Sequence, residues 1–178
     1  MKTKLLSTIT SAVLIGVAPA FFSACASSSE TADLTKQDLT VATQFFVDDL
    51  FQCGKLSELA AEYPDESPMM EMRPIENATH QVVYTDQLSY GIVSVLVANG
   101  YVNAMSSDKN AWEHYRVSYK QDHGKNPPVD MLLSGSIRET STRVGDTEQC
   151  DYNISVTITK LGKVFWTAEY NISKTREY

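Results

Sequence analysis

The side chains that could perform acid–base, nucleophilic or metal chemistry are scattered along this sequence. The three histidines, His80, His114 and His123, have no partner at the spacing of a metal site, and no Cys-x-x-Cys pair occurs. The sequence contains no Gly-x-Ser-x-Gly nucleophile motif, Walker loop or dinucleotide-binding fingerprint. We therefore predict no enzyme activity, no metal, no cofactor and no small-molecule substrate.

The first 22 residues have the charge pattern of an export signal. Residues 1–4 carry two lysines and no acid, and residues 5–22 are uncharged, which is typical of a secretory signal peptide. The alternative is a transmembrane helix, because 18 uncharged residues are at the lower limit of a membrane span. Thr8, Thr10, Gly16 and Pro19 favour the signal peptide, which we predict for residues 1–24.

The thiol of Cys25 lies where lipid attachment is expected. The run Phe22-Ser23-Ala24-Cys25 resembles a bacterial lipobox, with Phe22 where Leu is preferred. In that motif the thiol takes up a diacylglyceryl group, and cleavage before the Cys frees an amine for a further acyl chain, so that two or three chains give stable anchoring. Because Ala26 rather than Asp follows, the predicted destination is the outer membrane, with residues 25–37 as anchor and short flexible tether. The alternative is ordinary secretion, with Cys25 left to pair elsewhere.

The other two cysteines are Cys53 and Cys150. An exported protein enters an oxidising compartment, in which a disulfide between them would persist. We therefore predict this disulfide. The alternative is that both are buried free thiols that pack as small hydrophobic side chains.

Length and charge limit the class of protein. A chain of 178 residues with 43% hydrophobic residues suits one folded domain. The net charge of −7 becomes −9 once the two lysines of the signal peptide are removed. An acidic domain of this kind argues against nucleic-acid binding and against an electrostatic hold on anionic lipid.

Hydrophobic periodicity predicts helices in the first two thirds of the chain. Helices are expected over residues 35–54, 56–63 and 88–97. Gly54 should end the first helix, and Thr85 should be the N-cap of the third. A weaker helix is expected over residues 111–120, followed by a loop over residues 121–128.

Strands are predicted mainly in the last fifty residues. Alternating patterns over residues 131–143, 150–158 and 164–172, separated by turns at Gly145-Asp146 and Leu161-Gly162-Lys163, predict an antiparallel meander with one buried face. Earlier strands are expected over residues 69–75 and 101–105, with a loop over residues 76–79. Together these elements predict a single α+β domain, with helices packed on a mostly antiparallel sheet of about four to five strands and a C-terminal β-meander.

Several runs of residues, in order along the chain, resemble one family. They are Arg73-Pro74-Ile75-Glu76-Asn77-Ala78-Thr79, Tyr84-Thr85-Asp86-Gln87-Leu88, Pro128-Val129-Asp130, Leu133-Ser134-Gly135, the alternating strand over residues 152–159, and Leu161-Gly162-Lys163-Val164-Phe165-Trp166. These runs resemble the LpoB-type activators of penicillin-binding proteins over residues 38–173, and the lipobox-like run lies in the expected place.

The resemblance implies a non-enzymatic role for an α+β domain over residues 38–178, with a fold related to CsgG and the amino-terminal domain of TolB. Such proteins are anchored in the outer membrane, face the periplasm, and dock on the regulatory domain of a bifunctional penicillin-binding protein. Docking stimulates glycan polymerisation and crosslinking. The tether departs from the family pattern, because only about 12 residues separate Cys25 from the first helix where relatives carry a long Pro-rich segment.

The sequence leaves alternatives open for the docking surface and for the function of the protein. Four residues of the predicted helix, Trp112, Tyr115, Arg116 and Tyr119, are of the types that form binding hot spots, although such aromatic residues more often pack in a core. The second hypothesis for function is a lipoprotein subunit of an envelope assembly or secretion complex, which the CsgG-like fold would allow.

Overall fold

The computed structural model describes residues 33–104, 109–125 and 128–177. Within them lie four helices, α1 (Lys36–Gln52), α2 (Lys55–Glu62), α3 (Asp86–Ala98) and α4 (Lys109–His123). The strands of the same ranges are β1 (Met69–Met72), β2 (Glu76–Ala78), β3 (Asn103–Ala104), β4 (Met131–Val144), β5 (Thr147–Lys160) and β6 (Lys163–Glu177). They form one sheet in the order β3-β1-β4-β5-β6, and β2 also pairs with β4.

Local interactions define both the start and the end of the first helix. Thr35 accepts a hydrogen bond from the backbone of Asp38, and the Asp38 carboxylate accepts one from the backbone of Thr35, so the two residues form a capping box. After α1, Gly54 has a φ of 78°, a conformation that glycine adopts without a steric penalty. The predicted helices over residues 35–54 and 56–63 are thereby confirmed as α1 and α2.

The last three strands form the predicted meander. β4 and β5 pair antiparallel along their whole lengths, and so do β5 and β6. Every second residue of β5 from Cys150 to Ile158 is buried, while the residues between them are less buried. This alternation gives the meander one apolar face, as the period-two pattern predicts.

Helices α1 and α3 cover that face and complete the core. Phe46 of α1 is fully buried and lies edge-on to Trp166 of β6, with ring centroids 6.1 Å apart. The indole nitrogen of Trp166 donates a hydrogen bond of 2.7 Å to Asp49 on the same helix. Helix α1 also contacts α3, and these contacts bring Thr43 of α1 against Gly91 of α3.

The segment between α2 and α3 differs from the prediction. The single strand expected over residues 69–75 is two short strands, and residues 76–78, expected in a loop, form β2. Both pair parallel with β4, and Pro74 lies in the gap between them. Proline has no N–H for a ladder hydrogen bond, which explains the interruption. The loop begins at Thr79, whose backbone and hydroxyl both donate hydrogen bonds to the Asn77 side chain.

The predicted fold class is confirmed, with corrections to its details. The domain is α+β, but its sheet has six strands within the described residues, because β1 and β2 replace the single strand expected over residues 69–75. Two of the six are short, since β2 has three residues and β3 has two. The pairings of β1, β2 and β3 are parallel, so the sheet is mixed. Thr85 is the N-cap of α3 as predicted, yet its side chain makes no capping hydrogen bond. Helix α4 extends to His123, into the predicted loop.

One strand residue does not follow the predicted alternation. Val164 was expected on the buried face with Trp166, but 65% of it is exposed. A register shift between Ile158 and Thr159 makes Val164 the partner of Thr159, and Phe165 is the extra residue. Because Ile158 is buried, Thr159 and therefore Val164 lie on the sheet face opposite the core.

Substitution of Gly91 by Ala is expected to reveal how closely α1 and α3 approach. An added β-carbon would lie 2.5 Å from Thr43 Cγ2, and the Thr43 hydroxyl is held by a 2.7 Å hydrogen bond to the Leu39 carbonyl. Overpacking costs about 1–3 kcal/mol, and the gain in helix propensity offsets about 1 kcal/mol of it. Gly91→Ala should therefore lower the free energy of unfolding, measured by urea titration, by about 1 kcal/mol.

The matched control is the same substitution in a Thr43→Ser background, which removes Cγ2 and keeps the hydroxyl. There Gly91→Ala should stabilise the protein by up to about 1 kcal/mol. Equal effects of Gly91→Ala in the two backgrounds would contradict the close contact.

Candidate functional site

The described chain begins beside β5 and β6, at one end of the sheet. The Asp33 carboxylate lies 3.2 Å from a guanidinium nitrogen of Arg176, near the end of β6. Leu34 packs against Cys150, Tyr152 and Ile172. We call this end, where residues 33–35 meet β5 and β6, the tether end. Residues 33 and 34 thus contact the last two strands of the sheet.

A partly buried ion pair fixes the start of α1 at the tether end. The Lys174 ammonium lies 2.7 Å from the Asp38 carboxylate, and the two side chains are 10% and 21% exposed. Burial by itself would raise the pKa of Asp38, but hydrogen bonds from Lys174 and Thr35 outweigh it and lower that pKa below its ordinary value. The ionised carboxylate thus stabilises the folded state.

Two further polar side chains at the tether end are held in place by the fold. The Glu139 side chain is 9% exposed, and it accepts a hydrogen bond of 3.0 Å from the His80 backbone. Burial, and next the neighbouring Glu139 carboxylate, raise the pKa of Tyr152 far above its ordinary value. The Tyr152 phenol is therefore neutral at physiological pH, and it supplies no general base.

The predicted disulfide between Cys53 and Cys150 is not formed, and both residues are free thiols. Cys150 lies beside Lys174, which binds Asp38 at the start of α1, whereas Cys53 lies just beyond the other end of that helix. A helix of 17 residues is about 25 Å long, far more than the roughly 7 Å between α-carbons that a disulfide spans. Sequence separation carries no information on this distance.

The two thiols lie in different surroundings. Cys53 is exposed, and its Sγ donates a hydrogen bond of 3.1 Å to the Leu50 carbonyl. Cys150 is buried, and burial, followed by the nearby carboxylates of Glu148 and Glu139, raises the pKa of its thiol. The Cys150 thiol stays protonated and has the weak nucleophilicity of a buried cysteine. The alternative to the disulfide was that both cysteines are buried free thiols. Cys150 fits this description, whereas the Cys53 thiol is free but exposed.

The opposite end of the sheet, which we call the far end, holds the turn between β5 and β6. The Leu161 backbone N–H donates a hydrogen bond of 2.9 Å to the Asp130 carbonyl, which fixes the turn to the segment before β4. Leu161 has a φ of 49° and Gly162 a φ of 78°, so both turn residues are left-handed. The Leu161 side chain is 69% exposed.

A groove of about 250 Å³ lies at the far end, lined among others by Tyr63, Met69, Asn103, Tyr119 and Asp130. A second groove of similar volume adjoins it around Tyr63. The ammonium of Lys160 lies 5.8 Å from the centre of the Tyr63 ring, and Lys160 also forms an ion pair with Glu62.

The four residues predicted to bind a partner are all on α4. Tyr119 stacks on His123, with ring centroids 4.1 Å apart, and it reaches the far-end groove. Arg116 is exposed and makes a two-pronged contact with Glu113, at 2.7 and 2.9 Å. The side chains of Trp112 and Tyr115 lie outside the described part of the structure, and so does the whole of Cys25.

Several ionisable side chains of the described residues form caps and ion pairs at the two ends of the sheet. In the ranges that the structure describes, no three His, Cys, Asp or Glu side chains are grouped to hold a metal ion. None of the helices found there is long and apolar enough to cross a membrane.

Sequence reasoning missed Leu161 and Val164 as candidate binding residues. Leu161 was expected in a turn and Val164 in a buried strand face, yet both are largely exposed at the far end. The signal for Leu161 was present in the sequence, because a two-residue hairpin turn normally has Asn, Asp or Gly at its first position.

Comparisons with known proteins give one family and a set of distant structures. The sequence model of the family described as "Peptidoglycan-synthase activator LpoB" matches residues 38–172. Among curated proteins no significant match is found. The lipoprotein GNA1162 of Neisseria meningitidis is 12% identical, with a TM-score of 0.38, over 61% of this chain and 83% of that one.

Two further solved structures are similar to a comparable degree. PelC of Paraburkholderia phytofirmans, a dodecamer, is 14% identical over 61% of this chain and 72% of that one, with a TM-score of 0.36. The C-terminal domain of LpoB from Escherichia coli is 11% identical over 67% of this chain and 96% of that one, with a TM-score of 0.33. Scores this low carry no argument about assembly or function.

The Asp38 ion pair predicts a pH-dependent contribution to stability. Because the folded state lowers the pKa of Asp38, its stabilisation is complete above the unfolded pKa of about 4 and is lost as the pH falls through the folded value. Asp38→Asn should lower the free energy of unfolding at pH 7 by about 1–2 kcal/mol. The difference from the wild type should disappear in strong acid.

Asp48→Asn is the matched control for the Asp38 prediction. Asp48 is on the same helix, is exposed, and bonds to Gln44 rather than to a cation. Its substitution should change the free energy of unfolding by less than about 0.5 kcal/mol at either pH. If Asp38→Asn lowers the free energy of unfolding by the same amount at pH 7 and in strong acid, the ion pair is not the cause of the loss in stability.

Proposed function

Since the chain belongs to the LpoB family of peptidoglycan-synthase activators, we propose that it is an outer-membrane lipoprotein that binds and activates a bifunctional penicillin-binding protein. The observation that carries the proposal is the family match over residues 38–172, which spans nearly the whole described domain. The acidic charge agrees with a small exported domain that binds protein rather than nucleic acid.

Attachment through Cys25 would set how far the domain reaches. Asp33 is the eighth residue after Cys25, and eight residue steps span at most about 28 Å when extended. From Arg176 to Lys163, β6 adds about 43 Å towards the far end. The reach is therefore about 70 Å from the lipid anchor. On this proposal the regulatory domain of the synthase must project outward from the inner membrane to meet it.

Activation in this proposal is a matter of differential binding. A domain that supplies no catalytic group raises a synthase's rate when it binds the active conformation more tightly than the inactive one. A tenfold shift between the two conformations requires a difference in binding free energy of about 1.4 kcal/mol. A modest docking surface can supply such a difference.

The activity test is a glycan-polymerisation assay. The purified lipoprotein in detergent, added to the bifunctional penicillin-binding protein of the same cell, should increase the rate of polymerisation of lipid-linked disaccharide several-fold. The protein alone should form no glycan, and a monofunctional transpeptidase should not respond. Pulldown from solubilised membranes should recover the synthase.

Two results would contradict the proposed activity. Failure both to bind a synthase and to stimulate polymerisation would remove the activator role. A large ring-shaped oligomer in sedimentation, together with that failure, would instead support a subunit of an envelope assembly.

The anchor is tested separately by Cys25→Ser. Mass spectrometry of the mature wild-type protein should find an amino terminus at Cys25 that carries acyl chains, and the variant should lose the acyl mass and leave the membrane fraction. Because Cys53→Ser removes an exposed thiol outside the lipobox-like run, it should leave fractionation unchanged. An unmodified Cys25 in mature protein would contradict lipidation while leaving the activator role open.

A further inference from the structure

The turn at the far end contains an apolar residue, Leu161, that contributes little to the hydrophobic core. The two residues between the paired Lys160 and Lys163 both have positive φ, which is the geometry of a type I′ turn. A β-carbon is disfavoured in this left-handed conformation, and Asn, Asp and Gly tolerate it best. Leu161 is therefore strained, and its side chain is 69% exposed rather than packed in the core.

Further exposed apolar side chains lie close to this turn. Val164, three residues on, is 65% exposed on the sheet face opposite the core. Val129 is 38% exposed, and it directly precedes Asp130, whose carbonyl accepts the hydrogen bond from Leu161. We call Leu161, Val164 and Val129 the far-end apolar patch. Strained backbone that carries an exposed hydrophobic side chain is typical of a contact site.

The patch is held rigidly before any partner binds. The 2.9 Å hydrogen bond from Leu161 to Asp130 ties the turn to the chain before β4, and the ion pair of Lys160 with Glu62 ties the end of β5 to α2. A preorganised surface loses little conformational freedom on binding, so more of the contact free energy contributes to affinity.

The path of the chain points the patch away from the tether. Residue 33 is bound to Arg176 at the tether end, whereas the turn lies at the other end of β6, about 43 Å away. The segment that leads back to Cys25 therefore leaves from the end opposite the patch. Of the two ends of the sheet, the far end is the one that a tethered domain presents to a molecule beyond its anchor.

The charges near the patch indicate the chemistry of its partner. Asp65 and Glu66 are exposed beside the far-end grooves, and neither is in an ion pair with a described residue. Lys163 is the exposed cation at the start of β6. A partner surface with an apolar recess, an acidic group facing Lys163 and a basic group facing Asp65 and Glu66 would complement this arrangement.

We propose that the far-end apolar patch is the surface with which this protein docks on its synthase, inserting Leu161 and Val164 into an apolar recess that carries an acidic group opposite Lys163. The proposal rests on the proposed function and names the surface that performs it. The strain at Leu161 is then a cost to the free domain that is retained because the side chain contributes to binding.

The test uses the full-length lipoprotein and separates binding from folding. Leu161→Asn puts a residue that tolerates positive φ into the turn, so the melting temperature should equal or exceed that of the wild type. Binding to the synthase should weaken at least tenfold, and stimulation of glycan polymerisation should fall with it. Val164→Thr keeps the β-branched shape and should weaken binding several-fold.

The matched control is Val144→Thr. Val144 is 75% exposed, but it lies at the tether end, beside the turn between β4 and β5. This variant should bind and stimulate like the wild type. Wild-type binding by both Leu161→Asn and Val164→Thr would overturn the docking surface and leave the activator role intact. Wild-type protein that neither binds nor stimulates any synthase would overturn both proposals.

Discussion

The structure depends on the single apolar face of the antiparallel meander. The long ladders of β4, β5 and β6 place isoleucine, valine and aromatic side chains on one side, and that side must be shielded from water. Helix α1 lies along it and is fixed by Phe46 against Trp166 and by the hydrogen bond from Trp166 to Asp49. Helix α3 can approach α1 closely because Gly91 has no side chain. The opposite face of the meander is mostly polar, and Val164 is an exposed apolar exception on it.

The two ends of this sheet differ in chemistry. At the tether end, Asp33 and Asp38 bind Arg176 and Lys174, so the chain that enters the domain is tied to its last strand. At the far end, one hydrogen bond and one ion pair hold a turn whose leucine faces solvent.

The family relationship accounts for the lack of catalytic chemistry. The chain belongs to a family of activators rather than enzymes, and several of its described ionisable groups serve the fold. Asp38 completes a cap and an ion pair, Glu139 binds the His80 backbone, and the phenol of Tyr152 is neutral. Function in such a protein is a property of its surface, which sequence motifs describe poorly.

Local patterns predicted the regular elements well. The glycine that ends α1 and the period of two in β5 each reflect interactions between residues near in the chain, so they are visible without a fold. The split of β1 from β2 was less visible, because it depends on pairing with β4 as well as on Pro74. The exposure of Val164 depends on a register shift that no single strand encodes.

The sequence by itself determined the α+β class, the meander, the main helices and the family, because periodicity, capping and ordered motifs are local. Only the tertiary structure decided that Cys53 and Cys150 lie at opposite ends of α1, since distances between remote residues follow from packing. It also decided that Tyr119 joins a groove with Tyr63, and that Leu161 and Val164 share the end of the sheet opposite the tether. These relations depend on which segments tertiary packing brings to each end of the sheet.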